Sequence, residues 1–167
     1  SFNDKNTPLT KRLIEDYDKS LYFAKDNERG FSKILNLSVN YKVTRFTSDK
    51  NTEDIIKIDL NEVLNPADSV IIKASYTVKI PDAKFTGYGK TKTGYHLRYW
   101  YLTPAVFTDN WQLMSNLNID DLFINTTNYN IRLKAEKDDF ITSNLTQQKE
   151  ANSVYNLTGK REDGTSI

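Results

Sequence analysis

The chain has 167 residues, 38% hydrophobic and 27% charged, enough for one domain with its own core. Its 23 Lys and Arg nearly cancel 22 Asp and Glu for a net charge of +1, and the basic residues are scattered, so no nucleic-acid surface is expected. Nothing approaches the roughly 20 consecutive apolar residues of a membrane span. With no cysteine and a single histidine, His96, disulfides, thiolate metal sites and the usual histidine-rich metal sets are excluded.

The first element is a helix. Pro8 suits a first helical turn with Thr7 as its cap, and Leu9, Leu13, Ile14, Tyr17, Leu21 and Tyr22 recur at helical spacing, which predicts a helical insertion over residues 8–24 closed by Gly30. The remainder predicts strands. Leu35, Leu37, Val39, Tyr41 and Val43 alternate with polar residues, as on a half-buried strand. Ile56, Ile58 and Leu60 repeat the pattern. Asn65-Pro66-Ala67-Asp68 is a turn, after which Val70 to Ile80 gives the cleanest alternation in the sequence, stopped by Pro81. Gly87, Gly89 and Gly94 mark a loop from Phe85 to Lys92. Further strands are expected at 96–102, 129–133, 140–145 and 153–157. Asp163-Gly164 is a hairpin signal with no second strand after it. The expected fold is mainly β, an antiparallel sandwich or saddle-like curved sheet with a short helical insertion near the N-terminus.

Little in the chain suggests catalysis. There is no H-E-x-x-H and no G-x-S-x-G. The acidic pairs Asp120-Asp121 and Asp138-Asp139 would point to opposite faces of a strand and are read as turn and surface charge. Gly87-Tyr88-Gly89-Lys90 lacks the spacing and the following helix of a phosphate loop. The densest aromatic run, "YHLRYWYLTPAVF" from Tyr95 to Phe107, is bulky on both alternating faces. That suits a strand covered by its own core on one side and by a partner domain or a sugar ring on the other.

The order of segments resembles the N-terminal β domain of the aminopeptidase N family of zinc metallopeptidases. "LNEVLNPADSVIIKASYTVKIP" is similar to the family's turn and long strand, with Asn65 to Val70 as the turn and Tyr76 to Pro81 as the strand end. "RYWYLTPAVFTDNWQLMSN" is similar to its Trp/Tyr-Pro block, with Trp100, Tyr101, Pro104, Val106, Phe107, Asp109 and Trp111 at the matching places. "DDLFINTTNYNIRLKAEKDDFITSNL" resembles the strand pair that follows, with Tyr129, Ile131, Leu133, Phe140 and Ile141 at its apolar positions. The resemblance spans residues 30–158 and is nearest to a Bacteroidetes-type branch that also carries a helical insertion. Ala67 replaces the turn glycine, Leu102-Thr103 intrudes before Pro104, and Asp121-Leu122-Phe123 replaces an acidic-aromatic triplet.

The resemblance implies a single non-catalytic N-terminal domain over residues 1–167, cut at both ends from a larger bacterial peptidase. Its partner would be the catalytic domain of the same polypeptide, which would carry the zinc. The domain would shape the cleft for a peptide substrate. Arg98, Tyr99 and Tyr101 are the positional candidates for contact with the substrate's free amine, since the family's Gln is missing before Pro104. Trp100, Pro104, Phe107 and Trp111 are candidates for the domain interface. The chain itself would bind no metal, and either cytoplasm or cell envelope would suit it. A free-standing carbohydrate- or surface-binding β-sandwich is the alternative.

Overall fold

The structure is a computed structural model and describes residues 2–49, 52–113, 125–136 and 139–161. Asp120, Asp121, Leu122, Phe123, Asp138 and the Asp163-Gly164 signal lie outside the described residues. The protein is mainly β, and the described residues form several antiparallel sheets and one α-helix near the N-terminus. The described residues fall into two compact units, one ending at Trp100 and the other beginning at Tyr101.

Helix α1 (Pro8–Glu15) begins as its sequence dictates. Thr7 Oγ1 accepts from the Thr10 N–H at 3.4 Å, and Pro8 fills the first turn, where a missing N–H costs nothing. The helix stops at Glu15, short of the expected residue 24. The Asp18 N–H donates to Leu13 O and the Tyr17 N–H to Ile14 O, which is the paired closure of a Schellman turn. Tyr17 takes the left-handed position normally given to glycine, at φ 64°, so its side chain leaves the helical face and stands 94% exposed. Leu21 returns from the following turns to pack with Leu9 and Phe85, bordered by Phe2, Leu13 and Ala24. The buried Arg29 guanidinium donates to the carbonyls of Leu21 and Tyr22 and ties that return in place.

Strand β1 (Phe31–Val39) runs antiparallel to β5 (Ile72–Lys79), and β2 (Lys42–Val43) pairs on the other side of β1. The expected alternation from Leu35 through Val43 breaks twice. The register steps from Ile34↔Tyr76 to Asn36↔Ser75, so Leu35 is the extra residue of a bulge. The bulge brings Ile34 onto the same face as Leu37 and Val39, both buried, and leaves Leu35 55% exposed. The chain then reverses at Asn40 and Tyr41, both at positive φ, the backbone of a two-residue hairpin turn. The strand expected over Ile56 to Leu60 is the second arm of a hairpin, β3 (Phe46–Asp49) against β4 (Thr52–Ile58). The loop expected from Phe85 to Lys92 is entered through a 3-10 turn (Ala83–Phe85). It leads into a small hairpin, β6 (Gly89–Lys90) with β7 (Tyr95–His96).

In the second unit β8 (Val106–Phe107) pairs with β9 (Trp111–Gln112). Strands β10 (Thr127–Lys134), β11 (Thr146–Lys149) and β12 (Val154–Arg161) form a sheet in the order β10-β12-β11. Its core is Leu145, Tyr155 and Leu157, with Tyr129, Ile131 and Ile141 packed against it. The strand expected at 140–145 lies later, at β11. The Ser143 hydroxyl accepts the Leu145 N–H, a local bond that competes with ladder pairing, and Phe140 is left 85% exposed. Leu145 instead plugs the space over Gly159, where an added Cβ would come within 2.7 Å of its Cδ2.

Candidate functional site: an aromatic trough

One face of the β1–β5 sheet is apolar and incompletely covered. Alternation along β5 sends Tyr76 and Val78 to the side that also carries Ile34, Leu37 and Val39, and Ile80 continues that row before Pro81 ends it. The β6–β7 hairpin folds against the end of the row. The Lys90 N–H donates to Pro81 O at 2.7 Å, and Gly89 lies so close to Pro81 that only a residue without Cβ fits. The Thr91 N–H donates to Gly94 O at 2.8 Å, closing the hairpin and delivering Tyr95 beside the row. The result is an open apolar trough of about 420 Å³ lined by Tyr76, Val78, Ile80, Tyr95, Leu97 and Trp100. Tyr95 is 59% and Leu97 45% exposed.

The stretch after Tyr95 is not the long strand that the sequence suggests. Pairing ends at His96, and Tyr99 adopts φ 51°. The turn destroys strict alternation, so Leu97 and Trp100, three residues apart, line one trough, although alternation would put them on opposite faces. Arg98 lies between two phenol rings, with its guanidinium carbon 5.4 Å from the ring centre of Tyr88 and 4.9 Å from that of Tyr99. Its nitrogens donate to the Tyr88 and Tyr99 hydroxyls at 3.2 and 3.4 Å.

The seven residues singled out in the sequence therefore separate. Arg98 and Tyr99 hold each other in the first unit, where Trp100 joins the trough. Tyr101 belongs to the second unit, and its hydroxyl donates to that of Tyr129 at 3.2 Å, with the two rings edge to face. Pro104 is exposed in the same unit. Phe107 and Trp111 face each other across the β8–β9 hairpin, ring centres 5.1 Å apart, and each is about 60% exposed (59% and 61%). Tyr76, Val78 and Ile80 escaped notice as site residues, while Tyr95 and Leu97 stand in the aromatic run without being singled out. The signal for the first three was the same-side row running into Pro81. For the last two it was the glycine punctuation that makes a hairpin possible.

Chemically the trough presents mainly apolar surface, with two tyrosines and a tryptophan among its lining residues. Among the described residues no three His, Asp or Glu side chains gather as a metal-binding group. Asp18 and Glu28 have lowered pKa values, the first through a hydrogen bond from the Ser20 N–H and the second through Lys84, and neither lines the trough. No helix among the described residues is long and apolar enough to cross a membrane. Compared with family models, curated proteins and solved structures, the chain gives no significant match.

Proposed function

We propose that the chain is a non-catalytic β domain that docks through the aromatic trough onto a partner domain, and that the partner is the catalytic domain of a zinc aminopeptidase. The observation carrying the reading is the trough itself, an apolar face ringed by Tyr76, Tyr95 and Trp100 and left partly open. Aromatic rings in a shallow depression are the residues that dominate protein interfaces. The exposed Phe107–Trp111 pair gives the second unit an apolar contact of its own.

The local geometry of the 65–68 turn also supports the family. The Asp68 N–H donates to Asn65 O at 3.0 Å with Ala67 at φ 70°, the conformation that the glycine of the resembling motif serves. In this reading the zinc and the H-E-x-x-H helix belong to the partner, and the saddle-like curvature of the family domain is part of the proposal. Contact with a substrate amine falls to a tyrosine hydroxyl, of Tyr99 or Tyr101, because Arg98 is a cation and would repel it. A sugar-binding platform is less well served, since the lining has few polar groups to meet sugar hydroxyls.

The test begins with the gene. An H-E-x-x-H codon run within a few hundred codons after Ile167 supports the reading, and a stop codon directly after Ile167 refutes it. The pure chain is expected to release no chromophore from aminoacyl-anilides, with or without added zinc; turnover by the pure chain contradicts a non-catalytic role.

A further inference from the structure

The sheet of the second unit has a long straight edge. Strand β10 pairs with β12 without interruption from Thr127↔Arg161 to Lys134↔Val154, with no bulge and no proline. The Ala135 N–H donates to Ser153 O at 3.0 Å, one step beyond that register, so the backbone groups of the odd-numbered β10 residues face β12. Those of Asn128, Asn130, Arg132 and Lys134 therefore face the other way, where no strand pairs with β10 among the described residues. The side chains alternate with the same period. Tyr129, Ile131 and Leu133 are half-buried on the core face, and Asn128, Asn130, Arg132 and Lys134 are exposed on the other. An edge of this kind is a template for a further strand, and sheets commonly avoid it with a bulge or a proline.

We infer that this edge pairs with the same edge of a second copy of the chain, β10 antiparallel to β10 about a two-fold axis through Ile131. Ladder bonds form only where outward-facing residues of both copies meet, so the two-fold pairings with near-full overlap are centred on residue 130, 131 or 132. The pairing centred on Ile131 uses every outward-facing residue, with Asn130 opposite Arg132 and Asn128 opposite Lys134. Each cation then meets a neutral amide whose oxygen accepts a hydrogen bond, and Arg132 keeps its ion pair with Glu150 at 3.4 Å. On the core face Ile131 meets Ile131 and Tyr129 meets Leu133, so the apolar row runs on from one copy into the next. Centring on Arg132 sets two guanidinium groups face to face, and centring on Asn130 carries Lys134 past the end of the partner strand. Arg132 and Lys134 thus fix the register rather than block the edge. This self-complementarity selects a second copy over a strand of another protein. The interface lies in the second unit and is independent of the trough and its partner.

The experiment is sedimentation equilibrium of the intact chain from about 1 μM to about 500 μM, a range that covers weak and moderate dimers. The mass is expected to rise from 19.3 kDa towards twice that value. Asn130→Pro removes an outward N–H that no ladder bond within the chain uses, so the variant is expected to keep its far-UV circular dichroism and stay monomeric. Asn130→Arg, at an exposed side chain, sets a cation opposite Arg132 of the second copy and is expected to weaken the dimer at least about tenfold. The register is read by cross-linking, since the chain has no cysteine of its own. Ile131→Cys places two thiols on the axis and is expected to give a disulfide-linked dimer under mild oxidation, whereas Asn128→Cys, opposite Lys134, is not. Trp100→Ala is expected to dimerise like the parent. A chain that stays at 19.3 kDa throughout overturns the inference. So does a dimer that Asn130→Arg leaves unchanged, or cross-linking at residue 128 as efficient as at 131. If Asn130→Pro fails to fold, Asn130→Arg and the cysteine pair decide the matter.

Discussion

The β6–β7 hairpin owes its position to Gly89, and this can be measured as a graded series of three glycines. A Cβ built at Gly89 would lie 2.3 Å from Pro81 O, 2.9 Å from Ala83 N and 3.0 Å from Asp82 C, all backbone atoms that cannot swing aside. Its φ of 143° is also one that L side chains rarely adopt. Gly89→Ala should therefore cost about 1–3 kcal/mol in backbone strain. It should lose a further 1 kcal/mol or so when the Lys90–Pro81 hydrogen bond is forced apart. Gly87, at φ 79° with open space around it, separates the two effects, since Ala there meets no atom and should cost only about 1–2 kcal/mol. Gly94 has open space and no left-handed φ, so Gly94→Ala should be close to neutral. Urea melts followed by circular dichroism would rank the three, with each kcal/mol moving the urea midpoint by about 0.3–1 M. A Gly89→Ala variant within about 0.5 kcal/mol of the parent, or a loss at Gly94 as large as at Gly89, would refute the account of how the hairpin is anchored.

Tyr17 and Ala67 occupy positive-φ positions suited to glycine, so Tyr17→Gly and Ala67→Gly should each stabilise by about 0.5–1 kcal/mol, read from the shift in urea midpoint. A loss at either position would show that the native side chain makes a contact worth more than the strain. Leu21→Ala empties the fully buried centre between Leu9 and Phe85 and should cost about 2–5 kcal/mol by the same melt; a cost below 1 kcal/mol would mean that this cluster is not a core. The Asp18 carboxyl, lowered by the Ser20 N–H bond, contributes stability that is present above its unfolded value near 3.8 and lost as pH falls through the lower folded value. Asp18→Asn should therefore lose less stability than the parent between about pH 5 and about pH 2, and identical acid limbs in the two proteins would contradict this.

Much of the fold was legible because its strongest periodicities are local. The Val70–Ile80 alternation yields β5, the Thr7-Pro8 pair yields the start of α1, and the Asn65-Pro66 pair yields a turn. What stayed hidden depended on backbone states that residue type argues against. Tyr17, Tyr41 and Tyr99 all sit at positive φ, where an aromatic residue is a poor guess, and each ends a pattern that the apolar spacing continues. The bulge at Leu35 is invisible to a period-two reading, because the extra residue is itself apolar and keeps the alternation superficially intact. The candidate site was half legible for the same reason. Trp100 stands out by type, and Tyr95 and Leu97 lie in the same run, but Tyr76, Val78 and Ile80 come from β5 and the residue after it, and no spacing within the Tyr95–Phe107 run contains them.

The docking claim is tested most directly by mixing the purified chain with the polypeptide encoded after Ile167 and measuring zinc-dependent release from aminoacyl-anilides, with wild-type and Trp100→Ala/Tyr95→Ala chains side by side. The account predicts that the wild-type chain binds that polypeptide and restores or raises its activity. It also predicts that the double variant, folded by circular dichroism, binds at least about tenfold more weakly, because two aromatic anchors are removed from the trough. Activity of the downstream polypeptide that ignores the chain, or equal binding by the double variant, would contradict it.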